Sequence, residues 1–208
     1  MKSADASSQP ASPTTNDALL RSLEASGALR HGHFLLSSGL HSPAYVQCAL
    51  LLEEPVRAGD AGRAIAERLR ESAPDSVLSP ALGGVVIGHE VARALGVPFR
   101  FAERDGEGLA LRRGFELRAG ERVVIIEDVV TTGKSTLETA ALAKSRGAIV
   151  VGIGAIIDRS GGRHGFEVPF VALLPLDLPT YKGEDCPLCR DGSTAVKPGS
   201  RPQAKPSA

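Results

Sequence analysis

Residues Val123 to Thr136 read VVIIEDVVTTGKST, and their order dictates a strand, a tight turn and a helix start. Val123 to Ile126 are four consecutive β-branched apolar residues, the pattern of a strand buried on both faces in the middle of a parallel sheet. The strand is expected to end on two acids, Glu127 and Asp128. Val129 and Val130 follow, then Thr131, Thr132, Gly133, Lys134, Ser135 and Thr136, and then an alanine-rich helical run. In open α/β sheets ligands bind beyond the carboxyl ends of strands, and free N–H groups at a helix N-terminus favour anions. One short stretch thus sets carboxylates beside an anion cradle.

The rest of the chain repeats this rhythm. Residues 1–15 are mostly Ser, Pro, Ala and Thr with little to bury and read as a disordered tail. Asn16 can cap a short helix that stops near Gly27, and Leu35 to Leu52, broken at Gly39 and Pro43, suggests two short strands around a glycine turn. A helix is expected over Pro55 to Ala73, a strand over Ser76 to Leu82, a helix over Val85 to Leu95 and a strand over Phe99 to Glu103. Leu109 to Leu117 reads as a hairpin arm, and strands over Ile149 to Asp158 and Phe170 to Leu174 follow the central helix. Such alternation implies right-handed βαβ units and a mostly parallel sheet. The expected organisation is a domain over residues 16–182, with a hood mainly at 16–52, and a Pro-, Gly- and Lys-rich tail over 183–208.

Bulk properties exclude several classes. Lys plus Arg equals Asp plus Glu at 24 each, so no global positive field gathers nucleic acid or anionic membrane. The longest apolar run, Ala148 to Ile157, is half of the roughly 20 residues a membrane span needs. Three cysteines without a secretory signal point to a reducing, cytoplasmic setting.

Gly133, Lys134 and Ser135 invite a P-loop reading, but that motif needs a glycine where this chain has Asp128, and a carboxylate there would repel a triphosphate. Two acids before the turn suit the vicinal hydroxyls of a ribose, with the turn taking its 5′-phosphate. The plainer reading, in which the acids only cap the next element, leaves two carboxyls beyond a buried strand without partners.

EDVVTTGKST resembles the phosphoribosyl pyrophosphate (PRPP) signature of type I phosphoribosyltransferases. Three further segments are similar to orotate phosphoribosyltransferases: FLLSSGLHSPAYVQC, Phe34 to Cys48; IIDRSGG, Ile156 to Gly162; and CPLCRDGSTAVKPGSR, Cys186 to Arg201. The resemblance implies an α/β fold of the type I class, a five-stranded mainly parallel sheet flanked by helices with a small N-terminal hood. It places Phe34, Ser37, Thr131 and Arg159 at orotate and Glu127 through Thr136 at PRPP. SPALGGVVIGHE, Ser79 to Glu90, fits the family's pyrophosphate loop, where Gly83 and Gly84 let the backbone approach the ligand. Mg²⁺, held mainly by PRPP rather than by protein groups, and a homodimer are implied as well. Arg159 also makes sense by itself, because a guanidinium meets a carboxylate with two parallel hydrogen bonds. Read alone, a surface ion pair with Asp158 fits it equally well.

The chain departs from the family pattern at two places. Ser37 stands where many members have lysine, and ERDGEGLALRRGF, Glu103 to Phe115, has Arg104, Arg112 and Arg113 but no lysine or histidine. Arginines bind pyrophosphate without giving up a proton, so charge stabilisation is their expected role. His89 reads as structural, and His31, His33 and His41 as ordinary exposed histidines. Cys186 and Cys189 form a CxxC, but zinc needs two further ligands and only Cys48 and scattered histidines remain, so no protein-held metal is expected.

The resulting expectation is transfer of phosphoribosyl from PRPP to orotate, with Glu127, Asp128 and Arg104 as the catalytic groups. A purine phosphoribosyltransferase and a PRPP-sensing regulatory protein on the same fold are the alternatives. The partners are small molecules, not nucleic acid or membrane.

Overall fold

A computed structural model describes residues 15–36, 38–106 and 108–198. The predicted tail before Thr15, Ser37 and the last part of the C-terminal tail lie outside the described residues. Helix α1 (Thr15–Ala25) leads into a hairpin of β1 (Leu29–Leu35) and β2 (His41–Val46), the hood. After the short α2 (Cys48–Leu52), helix α3 (Pro55–Leu69) starts on a proline, whose fixed φ suits a first turn. Then follow β3 (Ser76–Pro80), α4 (Gly83–Leu95), β4 (Phe99–Asp105), β5 (Gly108–Leu111), β6 (Arg122–Val130), α5 (Lys134–Ser145), β7 (Ile149–Asp158), β8 (Phe170–Pro175) and a four-residue α6 (Pro187–Arg190).

The main sheet has the order β5-β4-β3-β6-β7-β8. The five expected strands run parallel, and the hairpin arm adds a sixth, β5, antiparallel to β4. The chain moves from β3 outward to β4 and then returns to β6 on the other side of β3. That reversal opens a crevice at the strands' carboxyl ends, where ligands of open α/β sheets bind.

β6 sits at the centre because both its faces are apolar. Val124 and Ile126 belong to the cluster under α3 and α4, while Val123 and Ile125 belong to the cluster under α5; all four are fully buried. Each such side chain contributes about 1.5–3 kcal/mol relative to exposure. The hood is not a separate unit: Leu29, Ala44 and Val46 share the first cluster with Ile65 and Val91. The strand does not stop at the acid pair as expected. It continues to Val130, because β7 goes on pairing with it through Glu127↔Ala155 and Val129↔Ile157.

Candidate active site

Between the hood and the carboxyl ends of β6 and β7 lies a cavity of about 800 Å³. Tyr45 on β2 and Cys48 form part of one wall, Asp128, Thr131 and Thr132 another, and Arg159 a third. The segment after β8, Asp177 to Thr180, closes the remaining side.

The acid pair divides between two environments. Glu127 is buried and Asp128 half-buried at the cavity wall. Burial, and next to it the Asp128 charge, push the Glu127 carboxyl up to about 9. Burial raises Asp128 as well, against a hydrogen bond that its Oδ1 accepts from the Val129 N–H at 2.8 Å. Two adjacent carboxyls in a poorly solvated place resist ionising together. A site of this kind gains most from a ligand that brings positive charge or hydroxyl donors.

Gly83 and Gly84, at the start of α4, face this pair. A Cβ on Gly83 would lie 2.6 Å from Asp128 Oδ1, and one on Gly84 would lie 2.7 Å from the Ile126 carbonyl oxygen. Only glycine lets the helix start come so close to β6, so the Gly83 and Gly84 amides stand beside the carboxyl end of the neighbouring strand. The second turn is built likewise. Gly133 precedes α5 with φ 75°, a conformation that favours glycine, and a Cβ there would meet the His164 carbonyl oxygen at 2.8 Å. Thr131 and Thr132 point this turn into the cavity wall, whereas Thr136 is buried beneath it. Lys134 lies outside, 3.9 Å from Glu138.

Arg159 follows the end of β7 and is tied to β6 by its N–H, which donates to the Val130 carbonyl at 2.8 Å. Its side chain lines the cavity, and its buried Nε meets no acceptor. Burial lowers its affinity for its proton, and Asp177 and Tyr45 partly offset this. The alternative reading, an Asp158–Arg159 surface pair, is not what the structure has; Asp158 Oδ1 instead accepts from the Ser160 N–H at 2.7 Å.

The structure does not bring every expected residue to the cavity. Arg104 pairs with Glu138 at 2.6 Å, Arg112 with Asp105 at 2.6 Å and Arg113 with Glu103 at 2.9 Å, all at the β4–β5 edge and outside the cavity wall. Phe34 is buried behind the wall, its ring centroid 5.8 Å from that of Tyr45, which takes the place facing the cavity. Tyr45, Arg163 and Asp177 to Thr180 were not singled out from the sequence. The available signal was position alone, since the last segment follows a parallel strand's carboxyl end.

A model of the phosphoribosyl transferase domain matches residues 50–165. The orotate phosphoribosyltransferase of Thermotoga petrophila is 53% identical over 179 residues, covering 86% of this chain and 96% of that protein. The chain belongs to the orotate phosphoribosyltransferase family. The Thermus thermophilus orotate phosphoribosyltransferase is 50% identical over 167 residues, or 80% of this chain and 91% of that protein. Among solved structures, the orotate phosphoribosyltransferase of Aeropyrum pernix superposes with a TM-score of 0.66 at 25% identity, covering 76% of this chain and 93% of that one. In this family setting, Asp128, the threonine turn and Arg159 share one cavity although Arg159 lies 31 positions beyond Asp128.

Proposed function

We propose that the protein transfers the phosphoribosyl group of PRPP to N1 of orotate, giving orotidine 5′-monophosphate and pyrophosphate. The observation that carries this reading is Arg159, a half-buried guanidinium with a partner-free Nε in the same cavity as Asp128 and the threonine turn. An orotate carboxylate supplies the acceptors that Arg159 lacks, and a purine base supplies none with a full charge. The 5′-phosphate sits at the Thr131–Thr136 turn, where the first amides of α5 have no partner within the helix and the Lys134 N–H makes only a long 3.4 Å contact with Thr132 Oγ1. The ribose diol faces Glu127 and Asp128, and the pyrophosphate meets the amides at Gly83 and Gly84.

In the reaction the C1′–oxygen bond to pyrophosphate breaks, the bond from N1 to C1′ forms, and the N1 proton is released. The sugar becomes cation-like in between, and the acid pair stabilises that charge by proximity. Hard carboxylate oxygens beside a pyrophosphate site fit Mg²⁺, which neutralises the leaving group when bound. Arg104, Arg112 and Arg113 take part by exchanging their present carboxylates for pyrophosphate, in their own site or in that of a second copy within a homodimer. No helix among the described residues is long and apolar enough to cross a membrane, and all three cysteines are free, in keeping with a reducing, cytoplasmic location.

The test supplies PRPP and Mg²⁺ with orotate, uracil, adenine, guanine or xanthine in turn. Turnover of orotate is expected, far ahead of uracil and with no use of the purines. Use of a purine in its place would overturn the base assignment, and PRPP binding without any turnover would point to a regulator.

A further inference from the structure

His33, expected to be exposed, is buried, and it meets His41 and the CxxC pair on the far side of the hood. The antiparallel hairpin brings the two histidines together: His33 Nε2 and His41 Nδ1 are 2.8 Å apart. The tail then returns to them. The His41 and Tyr181 backbones pair through N–H groups at 2.8 and 2.9 Å, and the Val196 N–H donates to the His33 carbonyl at 2.8 Å. Between these two contacts sit Cys186, which is fully buried, and Cys189. Cys186 Sγ is 3.5 Å from His33 Nε2, and Cys189 Sγ is 3.8 Å from His33 Nε2 and 3.3 Å from His41 Nδ1. All four ligand atoms lie within 4.8 Å of one another.

We propose that His33, His41, Cys186 and Cys189 bind one structural zinc ion that clamps the C-terminal tail to the hood. Zn–S bonds of about 2.3 Å and Zn–N bonds of about 2.0–2.1 Å in a tetrahedron put sulfur and nitrogen about 3.6 Å apart and two nitrogens about 3.3 Å apart. The sulfur–nitrogen distances already bracket the first value. The histidine pair is closer, at hydrogen-bond distance, and opens by about 0.5 Å when the ion replaces the shared proton.

Two sulfurs and two imidazoles in a closed set of four select zinc over harder cations. The outer contacts suit it too. His33 Nδ1 lies 3.1 Å from the Ser193 carbonyl oxygen, to which it can only donate, so the lone pair of its Nε2 is turned into the cluster. Binding releases the two thiol protons to solvent, and Zn²⁺ with two thiolates and two neutral imidazoles is uncharged overall, which suits a buried place. The tail needs such a fastening, because α6 and the 3₁₀ turn before it, Gly183–Asp185, bury no residue of their own. The clamp also bears on the cavity. The strap Asp177 to Thr180 enters it directly from the His41–Tyr181 bridge, and Ser42 Oγ donates to the Pro179 carbonyl at 3.0 Å.

The experiment measures metal directly and is independent of the activity proposed above. The full chain, without a histidine tag, is purified from a zinc-supplemented culture under reducing conditions, and its zinc is counted by mass spectrometry. About one zinc per chain is expected, falling below about 0.1 in the Cys186→Ser, Cys189→Ser double variant. Exchange with Co²⁺ should give the visible bands of a tetrahedral site and a thiolate-to-cobalt charge-transfer band, a readout on the unaltered chain that stands even if the double variant does not fold. A zinc-free chain with no cobalt spectrum would overturn the proposal, as would zinc retained in full by a folded double variant.

Discussion

Replacing Arg159 by methionine keeps most of the side chain's length and apolar stem while removing the guanidinium. In the free protein Arg159 Nε has no acceptor, so the substitution breaks no hydrogen bond at that atom and should leave the fold intact. With orotate bound, it leaves a carboxylate in a poorly solvated cavity without its counter-charge. Truncating one partner of a buried, hydrogen-bonded charge pair costs about 2–5 kcal/mol. Arg159 is only half-buried, so we take about 3 kcal/mol, or roughly a 100-fold loss in kcat/KM for orotate. The assay is steady-state kinetics with orotate and uracil as competing acceptors, following each base by its absorbance. The orotate-to-uracil ratio of kcat/KM should fall by about that factor, with KM for PRPP changing less than about twofold, because the turn proposed for the phosphate lies on another strand end. An unchanged ratio, or equal losses for orotate and PRPP, would refute the assignment of Arg159 to the carboxylate.

Gly84→Ala puts a Cβ 2.7 Å from the Ile126 carbonyl and 3.0 Å from Ser79 Cβ. Overpacking of this kind costs about 1–3 kcal/mol, and the melting temperature should drop by several degrees; an unaltered Tm would show that α4 can shift freely. Glu127, raised to about 9 by burial and by Asp128, holds a proton in the free fold that the unfolded chain gives up. The stability of the free protein should therefore be full below the ordinary glutamate range and fall as pH rises towards about 9, with a flatter profile in Glu127→Gln measured by urea melts. Binding of PRPP with Mg²⁺ should draw that proton off, which calorimetry in buffers of different ionisation enthalpy detects as proton release at neutral pH. Glu121 behaves oppositely: burial pushes its carboxyl up, but the Arg118 N–H, the Ser76 hydroxyl and the Arg100 guanidinium together hold it below the usual range. Its contribution should be present above the ordinary glutamate range and lost as pH falls through its lowered value, and Glu121→Ala should destabilise the protein by about 3 kcal/mol in a urea melt at neutral pH.

The strand, turn and helix start that carry the proposed phosphate half of the site were legible in the sequence because they are local devices, written in consecutive residues from Val123 to Thr136. The end of β6 was not, since whether Glu127 to Val130 extend a strand depends on β7 continuing beside them. The histidines misled for the same reason. His33 and His41 look scattered along the chain, and only the hairpin register and the return of a tail more than a hundred residues away bring them to Cys186 and Cys189. Phe34 and Tyr45 illustrate a finer limit: both lie in the quoted hood segment, but strand pairing decides which ring backs the wall and which forms it.

The same distinction bears on how the two substrates are recognised. The groups assigned to PRPP come largely from one element and its neighbour, β6 with its turn and the glycine start of α4, all fixed by the buried sheet. The side proposed for the base is assembled from the hood, the residue after β7 and the strap after β8, three pieces held together by backbone bridges such as His41–Tyr181 and by side-chain contacts such as Ser42–Pro179. Residues on rigid sheet ends hold their geometry whatever the surface does, whereas a wall made of hood and strap depends on what fastens it. Loosening the tail should therefore weaken orotate binding well before it disturbs PRPP. A change in base preference could then arise through the hood and strap with Glu127 to Thr136 unaltered.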